Sequence, residues 1–174
     1  MNIILEGCDG VGKTTLAKKL CGQFKQLKYI HAPYKLESES YDEFSNRVDH
    51  LYRIDLAGDN LVLDRSFYSE YAYNLIKTTE YTNNFERQYE DSIAFILIYC
   101  DNNKLSSYSF WKTAELHNID LSQGKLERVK RINSKYLQAF SDSLLENKLK
   151  IEFRDNNYDE IYLRTEIFVE ELLK

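Results

Sequence analysis

Eight residues, Gly7-Cys8-Asp9-Gly10-Val11-Gly12-Lys13-Thr14, carry the spacing G-x-x-x-x-G-K-[ST], a set of groups suited to holding a polyphosphate. The glycines let backbone N–H groups turn inward around phosphate oxygens. Lys13 brings an ammonium to the β- and γ-phosphates, and the Thr14 hydroxyl offers an oxygen to Mg²⁺. A second pair, Asp64-Arg65, closes the apolar run that starts at Leu61. In an open α/β sheet the carboxyl ends of neighbouring strands converge on one crevice, so this pair is expected to face the glycine loop. A carboxylate there can hold the metal, and a guanidinium can grip a second phosphate. The candidate set for the nucleotide is therefore Gly7, Asp9, Gly10, Val11, Gly12, Lys13, Thr14 and Thr15. Lys13, Asp64 and Arg65 are the candidates for catalysis, and Thr14 and Asp64 for the metal. The plain alternative is a glycine-rich turn without a ligand. A dinucleotide fingerprint would need G-x-G-x-x-G, which the loop lacks, and would leave Lys13 without a role.

These groups work only if strands and helices place them. Apolar runs and helical periods alternate along the chain, which predicts an α/β fold with a five-stranded parallel sheet and helices on both faces. The strands are expected at Asn2 to Glu6, Tyr29 to Ala32, Leu61 to Asp64, Ile93 to Tyr99 and Leu149 to Phe153. Leu16, Leu20, Phe24 and Leu27 fall on one face of a helix after the glycine loop, and Phe44, Val48, Leu51 and Ile54 on one face of the next. A Tyr-rich helix is expected from Phe67 to Lys77, and a polar helix through Phe85 and Tyr89. A long helix should turn Leu126, Val129, Tyr136, Leu137, Phe140 and Leu144 inward. Asn157 with Glu160 reads as a capping pair for a last helix that packs through Ile161, Thr165, Phe168 and Leu172. Between about 101 and 124 periodicity fades, as expected of a lid beside a site.

The 174 residues fit one domain, and 43% apolar residues suffice for one core. Twenty-three basic against 28 acidic side chains, with no cationic run, argue against polymeric nucleic acid as a partner. Cys8, Cys21 and Cys100 lack metal-ligand spacing and are expected as reduced thiols. His31, His50 and His117 share no metal spacing and read as surface or core imidazoles. No signal peptide or membrane span is legible, so a cytoplasmic protein is expected.

With both motifs in hand, the chain resembles the thymidylate kinases. Their phosphate loop reads E-G-x-D-G-x-G-K-[ST]-T, matched by Glu6 through Thr15, and their third strand ends D-R-Y-x-x-S-x-x-A-Y-Q. The latter is matched at Asp64, Arg65, Ser69, Ala72 and Tyr73, with Ser66 and Asn74 as departures. Arg131 to Leu137 and Asp155 to Ile161 are similar more weakly. The resemblance implies the P-loop NTPase fold, ATP and Mg²⁺ as cofactors, a homodimer, and a deoxynucleoside monophosphate, thymidine monophosphate first, as acceptor. It places Asp9 near the acceptor sugar's 3′-hydroxyl, Arg65 on the acceptor phosphate and Tyr73 under the sugar. Lys35 stands in for the family's arginine after strand two, and Phe44 and Arg47 take the places of its base-stacking and base-reading residues. Glu70 occupies a position that helps read the base in some members; the alternative is a solvated carboxylate.

The chemistry separates two acceptors. A nucleoside hydroxyl must lose a proton, so it needs a base, whereas a monophosphate oxygen is already anionic. No acid follows the second strand before Glu37, which favours the monophosphate. The Asp64-Arg65-Ser66 triplet, common among deoxynucleoside kinases, points to a nucleoside. A nucleotide-binding protein with no small acceptor is the third reading. Within the expected lid, Lys104, Lys112 and Lys125 are the available cations, with Arg128 and Arg131 on the helix that follows.

Overall fold

The computed structural model describes residues 1–32, 38–58, 60–73, 80–105, 123–155 and 157–174. Five strands form one sheet: β1 (Asn2–Gly7), β2 (Lys28–His31), β3 (Leu61–Asp64), β4 (Ile93–Cys100) and β5 (Lys148–Phe153). Their order is β2-β3-β1-β4-β5, and every neighbouring pair is parallel. The chain winds outward from β1 to β2, returns through β3, then crosses to the opposite side of β1. That reversal opens a crevice at the carboxyl ends of the central strands.

Among the described residues, six α-helices flank the sheet: α1 (Lys13–Gln23), α2 (Tyr41–Ala57), α3 (Phe67–Ala72), α4 (Glu80–Tyr89), α5 (Gln123–Asp142) and α6 (Tyr158–Leu172). Period-two alternation along the strands sorts two cores. Ile4, Leu63, Phe95 and Leu97 face Phe44, Val48, Tyr52 and Leu56 of α2, with Phe67 and Tyr68 of α3 and Ile132, Tyr136 and Ala139 of α5. Ile3, Leu5, Val62, Ile96 and Ile98 face Leu16, Ala17 and Leu20 of α1 and Ile161 and Val169 of α6.

Local chemistry sets several ends. Ser40 and Glu43 form a capping box at the start of α2: the Ser40 N–H donates to Glu43 Oε2 at 2.8 Å and the Glu43 N–H donates to Ser40 Oγ at 3.2 Å. Asn60 closes the α2–β3 turn with φ 65°, a conformation asparagine tolerates.

Five expectations need correction. Helix α1 stops at Gln23 with Phe24 as its extended C-cap, so Leu27 is buried from a turn instead of from the helix face. The inward stripe of α2 runs Phe44, Val48, Tyr52, Leu56, leaving Leu51 half-buried; the Ile54 side chain lies outside the description. The helix expected to reach Lys77 is assigned only through Ala72, and 74–79 lie outside the described residues. Leu144 lies beyond the end of α5 and is 47% exposed. Asn157 makes no side-chain cap for α6; its amide turns back, accepting from the Arg154 N–H at 2.9 Å and donating to the Glu152 carbonyl at 3.0 Å. Among the described residues, no helix is long and apolar enough to cross a membrane.

Candidate active site

The loop after β1 is shaped by its glycines. Gly7 (φ 144°), Gly10 (φ 86°) and Gly12 (φ 82°) all sit where L side chains are strained. A Cβ at Gly7 would lie 2.1 Å from the Ile98 carbonyl oxygen, so only glycine lets β1 leave the sheet this close to β4. Gly12 is the N-cap of α1 and supplies no side-chain cap, which keeps the positive end of the helix directed at the cavity. Lys13 is buried, and its Nζ donates to the Cys8 carbonyl at 2.7 Å. Burial pushes its pKa down, with Arg65 acting in the same direction against Asp9, Asp64 and Glu6.

Across from the loop stands the end of β3. The Thr14 hydroxyl donates to Asp64 Oδ2, which also accepts from the Tyr29 hydroxyl at 3.3 Å. The β2–β3 register sets His31 opposite Asp64, with His31 Nε2 3.9 Å from Oδ2. Arg65 pairs with Asp9, and its guanidinium lies 5.1 Å from the centre of the Tyr73 ring. The Tyr73 hydroxyl donates to Asp9 Oδ2 at 3.2 Å, and burial pushes that phenol up to about 12. Asp9, Gly10, Gly12, Lys13, Thr14, His31, Asp64 and Arg65 enclose one cavity of about 280 Å³.

Of the residues singled out from sequence, Asp9, Gly10, Gly12, Lys13, Thr14, Asp64 and Arg65 meet in this cavity, and Tyr73 touches two of them. Gly7 shapes the loop's start, Val11 is wholly buried against α1, and Thr15 is exposed on the first turn of α1. Arg47 is elsewhere on α2, bonded through two nitrogens to Glu39 at 2.7 and 2.9 Å and lying over the buried Phe44 ring. Lys35 and Lys112 lie outside the described residues.

Sequence reasoning gave Glu6 no role beyond a motif match. It is fully buried on the face of β1 opposite α1, where it accepts from the Ser66 N–H and hydroxyl at 2.7 and 2.9 Å and from the Ser69 hydroxyl at 2.8 Å. Because Ser69 donates to Glu6, the Tyr136 hydroxyl donates to Ser69 at 2.8 Å and accepts from Arg65 at 3.3 Å. A directed chain thus runs Arg65, Tyr136, Ser69, Glu6. Burial raises the Glu6 pKa, opposed by Arg65, the two serines and Lys13. The chain fixes Arg65, whose own φ of 76° is left-handed. Glu70 is also no solvated carboxylate: it is 4% exposed, its Oε2 has no hydrogen-bond partner among the described residues, and burial first and Glu6 second raise it to about 7.

No protein-family model and no curated protein sequence matches the chain. Solved structures do. YorR from Bacillus subtilis, in complex with phosphorylated GDP, is similar with TM-score 0.74 and 22% identity over 99% of this chain and 96% of that one. Thymidylate kinase from Candida albicans follows with TM-score 0.57 and 17% identity over 98% and 91%. A gluconokinase from Sinorhizobium meliloti has TM-score 0.58 and 12% identity over 98% and 92%. The fold is that of the P-loop NTPases. Within that fold the loop from Gly7 to Thr14 joins the carboxyl end of the central strand β1 to the N-terminus of α1.

Proposed function

We propose that this chain is an ATP-dependent phosphotransferase whose acceptor is a deoxynucleoside monophosphate, thymidine monophosphate being the first to test. One observation carries the reading: Lys13 and Arg65, one buried and one half-buried cation, line the same cavity with Thr14 and Asp64. A phosphoryl transfer needs that charge pattern, because two anions must be drawn together before either reacts. Backbone N–H groups from Asp9 to Lys13 would cradle the donor's phosphates, and the Lys13 ammonium would leave the Cys8 carbonyl for them. The donor set fits a hard cation, since a hydroxyl and a carboxylate already touch at Thr14 and Asp64. Mg²⁺ held there would neutralise charge shared between phosphates.

On the acceptor side, the Arg65 guanidinium now on Asp9 would turn to the acceptor phosphate, with Tyr73 packed beneath the sugar. A monophosphate supplies its own anionic nucleophile, so no base is required of the protein. YorR's phosphorylated GDP supports a nucleotide in a cavity of this fold and leaves the base open. The homodimer belongs to the same reading and is checked by sedimentation.

A second reading, a deoxynucleoside acceptor, is favoured by Ser66, which caps α3 through its side chain as the residue after Asp64-Arg65. A coupled assay for ADP release across nucleosides and their monophosphates separates the two. Release with monophosphates alone is the expected result; release with nucleosides alone overturns the acceptor assignment, and release with neither removes the kinase reading.

A further inference from the structure

Glu6 is a fully buried carboxyl group that the phosphotransfer reading does not use. Both of its oxygens face donors. Oε1 takes the Ser66 N–H and hydroxyl at 2.7 and 2.9 Å, and Oε2 takes the Ser69 hydroxyl at 2.8 Å. An acid that kept its proton would set an O–H against one of these donors, so the arrangement belongs to the carboxylate.

That charge dictates which way each later proton points. Oε2 can only accept, so the Ser69 proton goes to it and the Ser69 oxygen is left as an acceptor. The Tyr136 hydroxyl therefore donates to Ser69, at 2.8 Å, and turns its lone pair to Arg65 Nη1, which donates to it at 3.3 Å. This hold on Arg65 differs in kind from the one on its other side. The Asp9 carboxylate is 77% exposed and yields to an incoming phosphate, whereas the Tyr136 hydroxyl belongs to a wholly buried residue and stays. Reversing the first link reverses the rest. An amide nitrogen in place of Oε2 donates to Ser69, Ser69 then donates to Tyr136, and the phenolic proton is driven against the Arg65 N–H.

We propose that Glu6 is a positioning residue for the acceptor: its negative charge fixes the polarity of the chain through Ser69 and Tyr136, and so keeps a lone pair, not a proton, facing Arg65. The inference rests on the acceptor phosphate lying on Arg65, as read above.

The test is steady-state kinetics on the full chain, with thymidine monophosphate and ATP varied in turn, in Glu6→Gln, a replacement of nearly equal size. Expected is a rise of about tenfold in the acceptor KM, with kcat and the KM for ATP within about twofold of the parent. In a Tyr136→Phe background the same replacement should add less than about twofold, because the link it reverses is already gone. A role in packing alone predicts equal effects in both backgrounds and on both substrates. An acceptor KM that stays put in Glu6→Gln while Arg65→Ala raises it leaves the acceptor site standing and overturns the proposal. Effects of Glu6→Gln and Tyr136→Phe that multiply overturn it too, since Glu6 then acts by another route. If Arg65→Ala leaves the acceptor constants unchanged, the acceptor reading falls and takes this proposal with it. Should Glu6→Gln fail to fold, Ser69→Ala cuts the same chain without burying an amide. A severalfold rise in the acceptor KM alone then supports the proposal, and an unchanged KM overturns it.

Discussion

In the proposed phosphotransfer Lys13 and Arg65 would divide the work, and kinetics can tell their shares apart. Lys13→Ala should lower kcat by roughly 10³-fold or more, since a preorganised, buried charge is lost. Arg65→Ala should lower kcat/KM for the acceptor by roughly 10²–10³-fold while the KM for ATP stays within about threefold. Steady-state rates with each substrate varied in turn check both, and an unchanged acceptor constant in Arg65→Ala would place the acceptor elsewhere. Glu70 makes a different statement. Its folded pKa of about 7 exceeds the ordinary 4.5, so between those values the native chain keeps a proton that the unfolded chain has released. The stability tied to that proton is full below about pH 4.5 and is lost as pH rises through about 7. Glu70→Gln should therefore match the parent near pH 4.5 and exceed it by about 1–3 kcal/mol at pH 8. Urea unfolding at the two pH values measures this, and equal stabilities at pH 8 would refute it.

Between elements, Tyr136 is one of the links from α5 to α3, and the one that reaches on to β1 through Ser69 and Glu6. Its hydroxyl accepts from Arg65 and donates to Ser69, so Tyr136→Phe cuts the chain that ends on Glu6. The expected cost is about 1–2 kcal/mol of stability. The acceptor KM should rise severalfold with little change in the KM for ATP. Denaturant melts and acceptor titration together check this; a loss of ATP affinity instead would mean that Tyr136 supports the glycine loop. The glycine loop and the Asp64-Arg65 pair were legible because each is contiguous and its chemistry is local. His31 was not, because its neighbour Asp64 is 33 positions away and only the β2–β3 register sets them side by side. The role of Glu6 was hidden for the same reason, since its partners come from α3 and reach on to α5. Arg47 illustrates the reverse case: its type suited base recognition, whereas the structure spends it on Glu39.

At the level of the whole molecule, the pattern of apolar runs sufficed for five parallel strands with helices on both faces. It could not give the strand order, which depends on which long-range pairings bury most surface. Errors gathered at helix ends, where single side chains such as Asn157 choose between competing backbone partners. A nucleotide held in the proposed site should stabilise the folded chain. At about 100 times Kd, MgATP should add roughly 2.7 kcal/mol, which for a domain of this size is a rise in Tm of roughly 5–11 °C. Differential scanning fluorimetry with and without EDTA checks it, and the shift should shrink sharply when the metal is removed. No shift at saturating MgATP would argue against a nucleotide site.

Arg65 holds a backbone angle that the chain would surrender more cheaply to glycine. Arg65→Gly should therefore be sturdier than Arg65→Ala by about 1 kcal/mol, though both lack the cation. Selection for toughness alone would drift toward a silent protein at this position. Millimolar guanidinium added to the glycine variant, which has an empty berth on an unstrained turn, should restore part of its turnover.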